Sequence, residues 1–194
     1  MVRVIAGEAR GRKLKTIDSE QTKPTLDRVK EAMFSMIMPY IRGAEVLDVF
    51  SGNGSLGIEA LSRGALSCVF NDFSADCCKI IKENLKTLGF EERSELVCNS
   101  FDASINTFGK KKKQFDILLL DPPYGKGLIE EALKAAERAK ICKSGEGFPP
   151  RSTIAVCEHA RTDELPERIG SFEKLKTNYY GTVGVTVYSF NKTI

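Results

Sequence analysis

Hydrophobic and polar positions divide the chain near residue 45. Beyond it, short apolar runs alternate with stretches in which apolar residues recur at helical spacing, the pattern of strand–helix–strand units around a parallel sheet. Val46, Leu47, Val49 and Phe50, with Asp48 among them, predict a buried first strand, followed by an apolar helix that begins Ile58-Glu59-Ala60-Leu61. Residues 66–70 predict a second strand ending at Asn71-Asp72, and residues 74–88 a helix stopped at Gly89. Residues 95–98 form the third predicted strand, with 99–103 as its exit loop. The most apolar run, 115–120, belongs at the centre of the sheet, and a helix over 127–142 follows it. A Gly/Pro loop at 144–150 leads to a fifth strand at 154–157. Strands at 173–177 and 182–190 around Asn178-Tyr179-Tyr180-Gly181 predict a closing hairpin. Before residue 45, residues 2–5 alternate like a short strand and 7–15 are turn-rich and basic. Thr25 can cap a helix over 26–38 that presents Asp27 and Arg28 outward and that Pro39 stops.

Composition adds bounds to this pattern. At 194 residues, 42% hydrophobic and 28% charged, the chain suits one well-packed domain with an appended segment. The expected division is a basic arm and helix over 1–40 and an α/β domain over 41–194. Nothing approaches the ~20 apolar residues of a membrane helix or a signal peptide's apolar stretch, so a cytoplasmic protein, a monomer, is expected. Six cysteines include no C-x-x-C pair, and four lie in apolar-periodic stretches, which reads as reduced core thiols with no metal site. The formal net charge is only +3, but residues 1–30 carry +4 and the remainder −1. An arm with that excess suits a polyanion, although a solvated basic loop looks similar. The lysine run 110–113 reads as a solvated loop first and an RNA-phosphate contact second, and His159, with no nucleophile in register, as a loop residue.

Chemistry enters at the ends of the predicted strands. Gly52, Gly54 and Gly57 stand at G-x-G-x-x-G spacing between the first strand and its helix, where a backbone without Cβ atoms and a helix N-terminus can cradle a nucleotide. Asp72, 20 residues after Gly52, is placed to accept from ribose hydroxyls. Asp102 reads as a turn former or helix cap. The central strand ends in Asp121-Pro122-Pro123-Tyr124. Two successive prolines have fixed φ and no N–H, which leaves carbonyl acceptors beside the Asp121 carboxylate and an aromatic ring. Such acceptors can grip both N–H bonds of an exocyclic amine while Tyr124 stacks on the base.

Asp48-x-Phe50-x-Gly52-x-Gly54 together with Asp121-Pro122-Pro123-Tyr124 resembles the class I S-adenosylmethionine-dependent methyltransferases that act on exocyclic amines of nucleobases. Within them the chain is similar to the bacterial 16S rRNA (guanine-N2)-methyltransferases, the RsmD-like family. The likeness runs through Arg3-Val4-Ile5, Arg10 to Leu14, Pro24-Thr25 with Arg28-Val29 and Glu31, Gly57 to Gly64, and Tyr180-Gly181. It implies a Rossmann-like fold with a mostly parallel seven-stranded sheet ending in an antiparallel hairpin. It implies further that Asp48, Phe50, Gly52, Asn53, Gly54 and Gly57 surround the methionine end of S-adenosylmethionine, Asp72 and Phe73 its ribose side, and Asp102 with Ala103 its adenine. Asp121, Pro122 and Tyr124 would hold the target amine and base, and Arg3, Arg10, Arg12, Lys13 and Arg28 the 16S rRNA or the assembling small ribosomal subunit. Ala6 stands where glycine is expected, and the loop at 99–102 is one residue longer than the pattern. Three other readings share part of the pattern: an adenine-N6 methyltransferase of DNA or RNA, a nicotinamide-dependent oxidoreductase, and a non-catalytic RNA-binding module.

Overall fold

A computed structural model describes residues 2–17, 27–145 and 152–191. Parallel strands β3 (Glu45–Asp48), β4 (Ser67–Asp72), β5 (Ser94–Cys98), β6 (Ile117–Leu120) and β7 (Ile154–Ala160) are continued by antiparallel β10 (Val183–Phe190) and β9 (Phe172–Tyr180). The spatial order is β5-β4-β3-β6-β7-β10-β9-β8, where β8 (Arg168–Ile169) is a two-residue edge strand added to the seven expected. A separate antiparallel ribbon, β1 (Val2–Arg3) with β2 (Lys13–Leu14), forms the arm.

The sheet is covered on both faces because its inner strands are apolar on both. Helices α1 (Asp27–Met36), α3 (Ser55–Ser62) and α4 (Ala75–Leu88) bury Met33, Phe34, Ile58, Ile81 and Leu85 on one side with the arm's Val4 and Leu14. Helices α5 (Phe101–Lys110) and α6 (Leu128–Arg138) bury Ile105, Phe108, Ile129 and Leu133 on the other. Gly57, the third glycine of the spacing, serves this packing. A Cβ there would lie 2.3 Å from the Phe70 ring and 2.7 Å from Cys68 Sγ, so only glycine lets α3 sit this close to β4.

Several local expectations need correction. Pro39 does not end the helical region; α1 stops at Met36 and Pro39 lies in the first turn of the short α2 (Met38–Ile41), where its missing N–H is no loss. Residues 99–103 are not all loop, since Ser100 Oγ caps α5 and the helix begins at Phe101. The helix after Gly127 ends at Arg138, and Cys142 instead makes a bridge to Phe115. His159 is not a loop residue but a buried member of β7. The hairpin turns at Gly181-Thr182, with Asn178 to Tyr180 inside β9. Thr25, Pro24 and most of the 144–150 loop lie outside the described residues. Cys98 is exposed, the other five cysteines are buried, and all six thiols are free. Among the described residues, no helix is long and apolar enough to cross a membrane.

Candidate active site

Strand order reverses between β3 and β6, so the chain leaves their adjacent C-terminal ends in different directions and opens a crevice there. Val49 N–H donates to Leu119 O at 3.0 Å, which ties the start of the glycine turn to the strand that delivers Asp121. The two motifs therefore meet at one corner of the molecule.

The turn is held from below by a polar lattice. Gly52 N–H donates to Asp72 Oδ2 (2.8 Å) and Ser74 N–H to Asp72 Oδ1 (2.9 Å), so the expected ribose ligand also fixes the turn. Ser51 Oγ donates to Asp48 O, and Asn71 Nδ2 donates to Val49 O. Ser104 Oγ donates to Asn71 Oδ1 at 2.5 Å, linking α5 into the same network. Ser51, Asn71 and Ser104 were not among the expected site residues. Only Ser51 lay inside a motif that could have drawn attention to it.

Asp48 is fully buried. Gly57 N–H donates to its Oδ2 at 2.9 Å, whereas Oδ1 has no hydrogen-bond partner among the described residues. Burial raises its pKa to about 7, against the Gly57 hydrogen bond and with help from nearby Asp72. An acid whose folded value lies above its unfolded one favours the fold most when protonated. The apo protein should thus lose stability as pH climbs from about 4 through about 7. Asp48→Asn keeps the acceptor for Gly57, and its melting temperature is expected to be flatter than the wild type's between pH 5 and pH 8. Parallel curves would show that Asp48 does not titrate there.

Beside the turn, Phe73 presents its ring to solvent, 81% exposed, next to the Asp72 carboxylate. No atom stands within 4 Å of a Cβ built on Gly52, so the turn faces open space. An exposed aromatic ring, a buried carboxylate oxygen with no donor among the described residues and an open turn fit a nucleoside-containing cofactor. Phe50 lies at this rim, its ring 5.3 Å from that of Phe101. Asp102 is set differently. It borders a groove with Glu131, Lys134 and Arg138 at the seam of α5 and α6, while Ala103 N–H points to Ser100 Oγ. Ala103 N–H thus already has a partner as part of the helix cap.

Across the crevice, Pro122 is buried and Tyr124 half-buried. Tyr124 donates its hydroxyl to Glu158 Oε1 at 2.5 Å, and burial together with that carboxylate pushes the phenol's pKa far up. Its ring is thus fixed and its hydroxyl stays protonated. The adjoining cleft, about 240 Å³, is bordered by Pro123, Tyr124, the start of α6, Glu158 and Asp163. Glu158 lies next to His159, whose polarity hid this part of β7 in the sequence.

The arm is fastened by buried groups to α3, the helix that follows the turn. Ile5 and Ala6 N–H both donate to the Glu59 carboxylate (2.8 and 3.0 Å), and Ala9 N–H donates to Ser62 Oγ. Glu59 also meets Lys30 Nζ at 3.4 Å and Arg63 Nε at 2.8 Å. Lys30 donates to Arg3 O and to Ser55 Oγ at the start of α3. Asn84 Nδ2 donates to both Lys15 O and Asn53 O, joining arm and glycine turn through one amide. Of the expected RNA contacts, Arg10, Lys13 and Arg28 are exposed. Arg3 pairs with Asp27, and Arg12 donates to Thr87 O.

This fold, with these two motifs at neighbouring strand ends, is that of a Rossmann-like class I methyltransferase. Residues 2–189 match the model of the family described as Conserved hypothetical protein 95, and the chain belongs to that family. It is 37% identical to YlbH of Bacillus subtilis over 187 residues, 96% of this chain and 98% of the relative. With the ribosomal RNA small subunit methyltransferase D of Haemophilus influenzae it shares 42% identity over 132 residues, 68% of each chain. The solved structure of yhhF from Escherichia coli superposes with a TM-score of 0.83 at 27% identity, covering 99% of both chains. An RNA methyltransferase from Salinibacter ruber in complex with S-adenosyl-L-homocysteine has the same fold (TM-score 0.64, 16% identity, covering 89% of this chain and 96% of that one). Family membership displaces the nicotinamide oxidoreductase reading.

Proposed function

We propose that the protein transfers a methyl group from S-adenosylmethionine to the exocyclic N2 amine of a guanine in 16S rRNA. The observation that carries this is the meeting of the Gly52–Gly54 turn with Asp121-Pro122-Pro123-Tyr124 on adjacent strands β3 and β6. The ribosomal substrate is supported by kinship with the small-subunit methyltransferase D enzymes.

S-Adenosylmethionine supplies the electrophilic methyl group. Gly52 and Gly54 would admit its methionine end, Asp48 and Asn53 would lie beside that end, and Asp72 would accept from its ribose hydroxyls. Phe73 offers an apolar face for its base. Asp121 and the Pro122 carbonyl would accept the two N–H bonds of the guanine amine, leaving the nitrogen lone pair aimed across the crevice. Such positioning is worth roughly 7–11 kcal/mol, and no nucleophilic side chain is needed. Positive charge builds on the amine as the bond forms, and oxygen acceptors around it stabilise that charge. Tyr124, held by Glu158, would stack on the extruded base. Asp121 is the acceptor for the proton released afterwards.

Arg3, Arg10, Arg12, Lys13 and Arg28 would hold phosphates flanking the base, since single-stranded RNA takes salt-dependent affinity from its backbone. Replacing Arg10 and Arg12 together by alanine is expected to weaken RNA binding by roughly ten-fold and to lower the slope of log K against log salt by about 1.4. Unchanged binding would reduce the arm to a structural cover. The proposal as a whole is tested by nucleoside analysis of 16S rRNA from a strain lacking the protein, before and after incubation with enzyme and cofactor. Appearance of N2-methylguanine supports it; N6-methyladenine would replace guanine by adenine as the target.

A further inference from the structure

The closing hairpin carries side chains for which methyl transfer has no use. Val183 pairs with Ala160, and β7 runs parallel to β6, so the turn Gly181-Thr182 lies at the same rim of the sheet as Asp121 to Tyr124. Across three strands, His159, Gly184 and Tyr179 stand in register and share one face. Gly184 leaves room for the imidazole: a Cβ there would lie 2.4 Å from His159 Cε1. The ring is buried and held at both nitrogens, Nε2 with Thr186 Oγ1 (2.8 Å) and Nδ1 with Ala160 O (2.9 Å). It meets Tyr179 edge-on, centroids 6.5 Å apart at 79°.

Arg161 lies over the Tyr179 ring, 5.1 Å from its centroid. Its Nη1 donates to Gly181 O at 3.3 Å and its backbone N–H to Thr182 O at 2.8 Å, so the guanidinium is anchored to the turn. Tyr179 is nonetheless 49% exposed, and Arg161, also exposed, enters no ion pair among the described residues. A tyrosine that merely shielded the sheet would lie against apolar neighbours. This one is braced from beneath by a fixed imidazole and stacked with a cation at the mouth of the site.

The geometry points to Arg161 and Tyr179 as a second RNA contact: a stacking platform for an unpaired nucleotide beside the target base, with Arg161 facing its phosphate. It rests on the RNA substrate proposed above. Unpaired bases stack on aromatic rings and guanidinium planes, and an arginine over a phenol presents both with positive charge. The arm's Val4 packs on the sheet face of Val183 and Val185, and Gly184 with Tyr179 lies on the other, so the pair would grip the strand on its far flank.

The test compares full-length wild type, Tyr179→Ala, Tyr179→Phe and Arg161→Ala on unmethylated 16S rRNA transcript and on small subunits lacking the methyl group. Tyr179→Ala is expected to raise KM for both RNA substrates by roughly ten-fold, with kcat and cofactor affinity unchanged. Tyr179→Phe should stay within about two-fold of wild type, and Arg161→Ala should lower the salt slope of transcript binding by about 0.7. Wild-type KM values for Tyr179→Ala overturn the platform. So does an equal loss in Tyr179→Phe, which would assign the effect to the hydroxyl, or a loss on subunits alone, which would make the partner a ribosomal protein. If the wild type neither binds nor methylates either RNA, the substrate assignment itself is what falls.

Discussion

Replacing Asp121 by alanine is expected to lower methyl transfer by roughly a thousand-fold or more while the protein still binds S-adenosylmethionine. Removing one preorganised group that meets developing charge typically lowers turnover by about 10²–10³. Here the same carboxylate also orients the amine, and orientation is the larger share of the catalysis proposed. Asp121 follows β6, not the glycine turn, and Asp72, Asn71 and Ser51 supply hydrogen bonds that shape the turn. Cofactor affinity should therefore move little. Isothermal titration with S-adenosylmethionine beside a single-turnover assay separates the two effects. Near-normal turnover would remove Asp121 from the reaction, and lost cofactor binding would relocate it to the donor half of the site.

The parts of this site legible in the sequence are those set by local chemistry. A glycine turn after an apolar strand, or two prolines ending one, constrain the backbone within a few residues, and neighbours in sequence suffice to recognise them. Adjacency of the two motifs also followed, because alternating strands and helices admit few sheet orders. What stayed hidden depends on partners far along the chain. Glu59 was visible as a lone acid in an apolar helix, but its ligands, the amides of Ile5 and Ala6, lie 54 and 53 residues away. His159 broke the apolar pattern of β7, and Thr186 on a strand not yet begun makes its burial tolerable. For Asp102 the sequence suggests a turn former or helix cap; the cap of α5 is instead Ser100, two residues earlier, and Asp102 borders the α5–α6 groove.

Glu59→Ala is expected to destabilise the protein by about 3–5 kcal/mol, the usual effect of stranding a buried charge. Lys30 is buried, and burial already lowers its pKa against the opposing pull of Glu59. Without that carboxylate the ammonium would keep Arg3 O and Ser55 Oγ but lose its ion-pair partner, with only the weaker pull of Asp27 remaining, and the amides of Ile5 and Ala6 would lose their acceptor. For a chain of this length the melting temperature should fall by roughly 10 °C. The loss should be uneven, because those two amides are among the buried anchors of the arm, beside Ser62 and Asn84, so trypsin should cut after Arg10, Arg12 or Lys13 sooner than elsewhere. Glu59→Gln with Lys30→Met retains an acceptor and removes the stranded ammonium, and is expected to recover more than half of the stability. If Glu59→Ala melts within about 2 °C of wild type and its arm resists trypsin equally well, the carboxylate is not what binds the arm to the glycine-turn helix. The exposed basic residues of the arm would then be positioned by the β1–β2 ribbon and by the bonds from Ala9 N–H to Ser62 and from Lys15 N–H to Asn84.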